Sequence, residues 1–265
     1  MNILILGDVF GKGGRKVVRY VLPRVVDRES VDLTIANVEN ATRGLGVSRE
    51  AVQELKKAGV QVMTSGNHIW KQPGAAELLK EEPFLVRPAN YPPEVPGKGS
   101  VVWESSLGVR VGILNLMGRV FMDPLECPFR TGEAHIHRLS EEGARVIVLD
   151  FHAEATSEKL ALAWFLDGRV SAVVGTHTHV QTADERILPL GTGFITDVGM
   201  TGPQDSVIGV RTECSIRSFL TGVPQKLEPS LKNLALNGVV LSICERTGTC
   251  RSIRRIREKL DNSEP

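Results

Sequence analysis

Six apolar, β-prone runs, most of them running into glycine or polar residues, constrain this chain more than any other feature: NILILGD, VDLTIANVEN, VQVMTSGNH, GVRVGILNL, ARVIVLDFHAE and VSAVVGTHTHV. Such near-continuous apolar runs are what strands buried on both faces require. Helical spacing fills the gaps between several of them. KVVRYVLPRVVDRE reads as a helix interrupted at Pro23, and SREAVQELKKAG as one with Ser48 as N-cap and Gly59 near its end. GAAELLKEE and SEKLALAWFLDG are two more, while RPANYPPEVPGKG is a loop by its proline content. Strand and helix in alternation make an α/β protein, with a mixed sheet or two stacked sheets flanked by helices. The last third, RILPLGTGFITDVGM and GVVLSICERTGTCRSIRRI, is β-branched and turn-rich, and is expected to form antiparallel strands completing a second sheet. Residues 1–265 read as a single domain without internal repeats.

Composition narrows the function. A formal net charge of +1 gives no polyelectrolyte signature, so no stable nucleic-acid partner is expected, and the basic cluster RSIRRIREK reads as a solvated face. MNILILGD lacks the basic start of a signal peptide, and no apolar run approaches the roughly eighteen residues of a membrane span. Cys127, Cys214, Cys244 and Cys250 form no CxxC pair; Cys244 and Cys250 flank the turn-like ERTGT, but reduced thiols and a cytoplasmic location are the expectation.

Polar residues gather where the strand runs stop: Asp8, Glu39 and Asn40, Asn67 and His68, His152, and His177 with His179. The carboxyl ends of parallel strands line one crevice, where ligands bind. Residues i and i+2 of an extended stretch face the same side, so His177 and His179 can share a cavity. Alone, Asp8 reads equally as a turn former and His152 as a hydrogen-bonded core histidine. Together they indicate metal. Carboxylates, asparagine and imidazoles without thiolate suit manganese, iron or zinc. The set exceeds the needs of one ion, which points to two ions about 3.5–4 Å apart sharing a carboxylate, an arrangement built for hydrolysis of phosphate esters.

The motifs GDVFG, NVENATRG, SGNHIW, DFHAEATSEK and GTHTHVQTADERILP resemble those of the calcineurin-like metallophosphoesterases, and most of all the bacterial YmdB-like subgroup. That resemblance implies a four-layer α/β/β/α sandwich, with two mixed sheets flanked by helices. It implies a homo-oligomeric phosphodiesterase acting on small phosphodiesters, above all 2′,3′-cyclic nucleotides, with two iron or manganese ions and zinc as an alternative. Carried over by position, Asp8, Asn40 and His179 hold one ion, Asn67, His152 and His177 the other, and Glu39 bridges. His68 stays off the metals as the general acid, protonating the oxygen that departs when a hydroxide shared by the ions attacks phosphorus. The chain departs from the wider superfamily at Phe10, where a histidine is usual, and at Glu39, where an aspartate is usual; Asn40 would fill the coordination position lost at Phe10.

Weaker signals remain. GKGGRK opens the first helix, and its amides, with Lys12 or Arg15, could hold a phosphate oxygen as readily as form a flexible turn. Thr42 and Arg43 fall near the site. His135 and His137 lie in a stretch without clear periodicity, expected as a surface or subunit-contact loop. Rival readings are a phosphomonoesterase or nucleotidase, a two-metal amidohydrolase, and a metal-containing regulatory scaffold with little turnover.

Overall fold

The computed structural model describes residues 1–261. β1 (Asn2–Leu6) and the two-residue β2 (Asp8–Val9) lead into α1 (Gly11–Glu29), followed by β3 (Leu33–Asn37), α2 (Arg49–Lys57), β4 (Val62–Thr64) and α3 (Ala75–Glu81). The middle of the chain carries β5 (Ser100–Glu104), β6 (Arg110–Met117), α4 (Pro128–Glu141), β7 (Val146–His152), α5 (Thr156–Phe165) and β8 (Ala172–Thr176). Then come β9 (Arg186–Ile187), β10 (Gly193–Ile195), β11 (Met200–Pro203), α6 (Thr212–Thr221), β12 (Leu234–Ile243) and β13 (Cys250–Lys259).

The strands form two mixed sheets. In the first, β4, β3 and β1 are parallel and β12 runs antiparallel beside β1, with β13 along its far side and β11 and β2 extending the edge. In the second, β6, β7, β8 and β10 are parallel, with β5 and β9 as antiparallel edges. Three buried apolar clusters mark three interfaces. Val17, Val21, Leu22, Val52 and Leu55 from α1 and α2 pack on Leu4, Leu6, Leu236 and Val240 of the first sheet. Ile3, Ile5, Ile35 and Val239 face Ile113, Val148, Val174 and Ile195 across the two sheets. Ile136, Leu139, Leu162 and Ala163 of α4 and α5 cover the outer side of the second sheet. Helix, sheet, sheet, helix is therefore the layering, as expected. Each fully buried aliphatic side chain contributes roughly 1.5–3 kcal/mol to it. Among the described residues no helix is long and apolar enough to cross a membrane.

Three sequence expectations are corrected. Pro23 does not interrupt α1: it sits on the exposed face, as does Arg19, the residue whose carbonyl loses its N–H partner. The β12–β13 hairpin is antiparallel but completes the first sheet, alongside β1, not a second one. His135 and His137 lie in α4, whose pattern Gly132 obscures, although Pro128 at its first turn is a start signal. His135 meets Ser100 and Arg138, while His137 is exposed.

Candidate metal centre

The carboxyl ends of the two sheets meet, and the polar residues that end the strand runs, from Asp8 to His179, come together there. Asp8 begins β2, Glu39 and Asn40 follow β3, and Asn67 and His68 follow β4. His152 ends β7, and His177 and His179 follow β8. The local geometry differs from an extended strand. His177 and His179 share the site because both adopt left-handed backbone, with φ of 100° and 66°. Residues 67–70 form a turn, with Ile69 N–H donating to Gly66 and Lys71 N–H to His68.

Three potential ligand atoms surround His152 Nε2, which lies 3.0 Å from Asn67 Oδ1, 3.2 Å from Glu39 Oε2 and 3.1 Å from His177 Nδ1. One nitrogen proton cannot serve three neighbours. Glu39, His152 and His177 form a cluster in which one ligand atom from each lies within 4.8 Å of the others. Beside it, the Asn40 amide nitrogen lies 3.0 Å from His179 Nε2, which is 3.8 Å from Asp8 Oδ1. Asp8 Oδ1 is buried and has no hydrogen-bond partner among the described residues, as suits an oxygen aimed at a cation. Gly66 floors the centre: a Cβ there would fall 2.2 Å from the His152 ring and 2.4 Å from Glu39 Oε2. Glu39 spans the two groups, with Oε1 accepting from the Asn40 amide at 3.1 Å and Oε2 from His68 N–H at 3.0 Å.

The outer contacts of the imidazoles decide which nitrogen faces inward. Thr176 gives its proton to Asp150 at 2.7 Å, so it accepts from His152 Nδ1–H at 2.9 Å and leaves Nε2 for the centre. His177 Nε2 faces Glu154 at 3.1 Å and leaves Nδ1. His179 Nδ1–H donates to the Ile208 carbonyl at 2.8 Å and leaves Nε2. His68 is the reverse: its inward nitrogen, Nδ1, donates to Asn40 Oδ1 at 2.8 Å and faces Glu39 Oε1 at 3.1 Å. Three imidazoles therefore turn one nitrogen each to the centre with the other engaged outside, and His68 turns an N–H there. The His152 Nε2 proton, held against Glu39 and Asn67, is one that a bound cation would displace. Asn40 is the exception in the expected ligand set, because its carbonyl oxygen turns to His68 and its NH2 faces Glu39 and His179.

Charge coupling is strong. Burial pushes the Asp8 carboxyl up to about 6, opposed by His179 and His152. Burial would also raise Glu39, but the imidazoles of His152 and His68 outweigh it and hold this carboxyl well below the usual range. Against burial, Glu39, Asp8 and Asp150 raise His152 to about 9; burial, with His152 alongside, brings His177 down to about 3, its neutral, ligating form. The donor set, the orphaned oxygen and the glycine floor all fit a cation.

Several supporting residues escaped the sequence reading. Asp150 is fully surrounded, accepting from Thr64, from Asn37 Nδ2 at 3.0 Å and from Thr176. Its position two residues before His152 on one strand face was a usable signal. Lys159 and Asp197 form an ion pair of 2.8 Å with both side chains 0% exposed, and Asp197 Oδ2 also accepts from Thr178 N–H and Oγ1–H at 3.1 and 2.8 Å. That carboxylate ties down the residue between the two left-handed histidines. The glycines of GKGGRK serve packing: a Cβ on Gly14 would come within 2.5 Å of the Thr201 carbonyl of β11. Arg15 is engaged by Glu54 and the Ala41 carbonyl. Thr42 accepts from Ser48 N–H, and Arg43 is exposed. Phe10 packs against Gly44 and Gly209 and meets His179 edge-on at 5.6 Å.

The YmdB-like protein family profile matches residues 4–256. The chain belongs to this family. It is 44% identical over 256 residues to the 2′,3′-cyclic-nucleotide 2′-phosphodiesterase of Bacillus subtilis strain 168, covering 97% of this chain and 96% of that one. The crystal structure of a hypothetical protein from Thermus thermophilus superposes with a TM-score of 0.91 at 43% identity, over 98% of this chain and 99% of that one. A phosphatase from Mycoplasma pneumoniae gives 0.91 at 38% identity, over 99% and 95%. The fold of this YmdB-like chain is thus that of the metallophosphoesterase-type phosphatases, which implies divalent metal ions, and Glu39, His152 and His177 form a candidate site.

Proposed function

We propose that the chain is a dinuclear-metal phosphodiesterase that opens small phosphodiesters, 2′,3′-cyclic nucleotides first among them. It is a phosphoric ester hydrolase. The observation that supports the finer reading is the division of the four imidazoles: His152, His177 and His179 each spend one ring nitrogen on an outer partner and turn the other inward, while His68 turns its Nδ1–H to Asn40 and Glu39. Asp8, Asn40 and His179 would hold one ion, with the Asn40 amide turning over to do so; Asn67, His152 and His177 would hold the other, with Glu39 between. Iron or manganese there, or zinc, supplies positive charge against the phosphate oxygens and makes water a stronger acid.

The chain's own residues do the rest. Asp150 through Thr176, Glu154 and the Ile208 carbonyl fix the three ligand imidazoles. His68, with Nδ1–H facing Glu39 Oε1 at 3.1 Å and its side chain 28% exposed, keeps Nε2 free for the substrate, and in its imidazolium form would give the Nε2 proton to the departing ester oxygen. The name of the Bacillus subtilis relative supports the 2′,3′-cyclic diester, and the Mycoplasma phosphatase supports phosphomonoesters as a second substrate class. A homo-oligomer in the cytoplasm belongs to the same reading, with exposed Ile216, Phe219 and Leu220 of α6 as candidate contacts.

His68→Ala tests the acid. Cleavage of a 2′,3′-cyclic nucleotide should fall by about 10²–10⁴-fold with both metals retained. A nitrophenyl diester, whose leaving group departs without a proton, should be largely spared. Equal loss on both substrates together with loss of metal would make His68 structural.

A further inference from the structure

A cleft of about 680 Å³ begins at His179 and runs between the 179–185 segment and β13. It includes part of the basic cluster that reads from sequence as a solvated face. Of the three neighbouring arginines, Arg254 pairs with Glu29, and Arg255 with Glu185 at 2.8 Å. Arg257 is exposed and has no carboxylate partner among the described residues; its guanidinium donates to Gln204 Oε1 at 3.3 Å. Gln204 is itself held, with Nε2 donating to the Gly202 carbonyl at 3.0 Å and Oε1 accepting from Asn237 Nδ2 at 3.3 Å.

Asn237 braces Gln204 from the strand opposite. Its side chain is 4% exposed, and its Oδ1 has no hydrogen-bond donor among the described residues. Nδ2 donates to the Met200 carbonyl at 2.8 Å, which fixes the amide's orientation. Oδ1 is closed to solvent, so Asn237 serves the cleft by bracing Gln204, the partner of Arg257, and not by offering its own oxygen to a ligand. Asn237 and Arg257 are directly opposed in the β12–β13 ladder, and the Asn237 carbonyl accepts from Gly7, the residue before Asp8. Arg257 therefore stands two strand spacings, about 10 Å, from the metal-centre edge of β1. A guanidinium without a carboxylate partner, held by Gln204 in a cleft that opens at His179, matches a phosphate.

We propose that this cleft is a second-phosphate subsite, so that the substrate carries, beyond the diester at the metal centre, a further phosphate bound by Arg257. The inference rests on the phosphodiesterase reading above. A 5′-phosphorylated 2′,3′-cyclic nucleotide and the cyclic-phosphate end of a short oligonucleotide both present that chemistry.

Calorimetry on the metal-loaded protein with adenosine 3′-phosphate and adenosine 3′,5′-bisphosphate tests the subsite without turnover. The bisphosphate should bind about tenfold more tightly, and Arg257→Gln should abolish that gap while leaving the monophosphate unchanged. Kinetics with adenosine 2′,3′-cyclic phosphate, its 5′-phosphorylated form and a dinucleotide ending in a 2′,3′-cyclic phosphate then separate the two sources by which one shows the lower KM. Equal binding of both ligands by the wild type, or equal weakening of both by Arg257→Gln, would overturn the subsite. If no cyclic nucleotide is cleaved but the Arg257-dependent gap persists, the phosphodiesterase reading fails and the subsite stands.

Discussion

Lys159→Met removes the positive half of a fully buried ion pair and leaves a side chain of similar length over Gly175. Lys159 Nζ and Asp197 Oδ2 are 2.8 Å apart with neither side chain exposed, and removing one partner of such a pair typically costs about 3–5 kcal/mol. Asp197 keeps three other donors, Thr178 N–H, Thr178 Oγ1–H and Gly199 N–H, which places the expected loss near the lower bound, about 3 kcal/mol. Urea unfolding followed by far-UV circular dichroism, with chelator present so that metal binding adds nothing to the native state, measures it. Lys159→Met combined with Asp197→Asn removes the uncompensated charge and should be more stable than Lys159→Met alone by at least about 1 kcal/mol. Metal content should fall in Lys159→Met, because Thr178 lies between the two left-handed histidines and loses a rigid anchor. A cost below about 1 kcal/mol, or a double variant weaker than the single one, would refute the view that this pair braces the histidine loop.

Glu39→Gln should bind one ion per chain or fewer, with hydrolysis near background; two firmly bound ions by elemental analysis would remove Glu39 from the bridging position. His135 gives a pH test away from the metal centre. Burial, with Arg138 and Arg87 nearby, brings it down to about 4, below the unfolded value of about 6.5, so its contribution to stability is present above pH 6.5 and is lost as pH falls toward 4. Between those limits wild type should lose about 1–2 kcal/mol more than His135→Gln, after allowance for the ring's partial exposure. Parallel stability curves would contradict it.

The sequence exposes the candidate centre well because Asp8, Glu39, Asn67, His152 and His177 are polar residues that end apolar runs, and burying each without partners would be costly. It exposes the layering for the same reason, since runs such as VIVLDFH are apolar on both faces. Sheet membership is another matter. Nothing in LALNGVVLSI says that β12 will pair with β1 rather than extend the second sheet, because the period of two fixes faces and not neighbours. Lys159 was hidden because a lysine in a helical pattern reads as solvated, and its partner Asp197 lies 38 residues away. The Asn67–His68 turn and the positive φ of His177 and His179 depend on tertiary contacts such as those of Asp197 with Thr178, which local periodicity does not carry.

Metal titration joined to a substrate panel addresses two-metal phosphodiester hydrolysis most directly. The protein would be stripped with chelator, reconstituted stepwise with manganese or iron, and assayed on 2′,3′-cyclic and 3′,5′-cyclic nucleotides and on phosphomonoesters. Stripped protein should be inactive, activity should rise until two ions are bound per chain, and the 2′,3′-cyclic diester should have the highest kcat/KM. Full activity without metal, or a plateau at one ion per chain, would contradict the dinuclear centre.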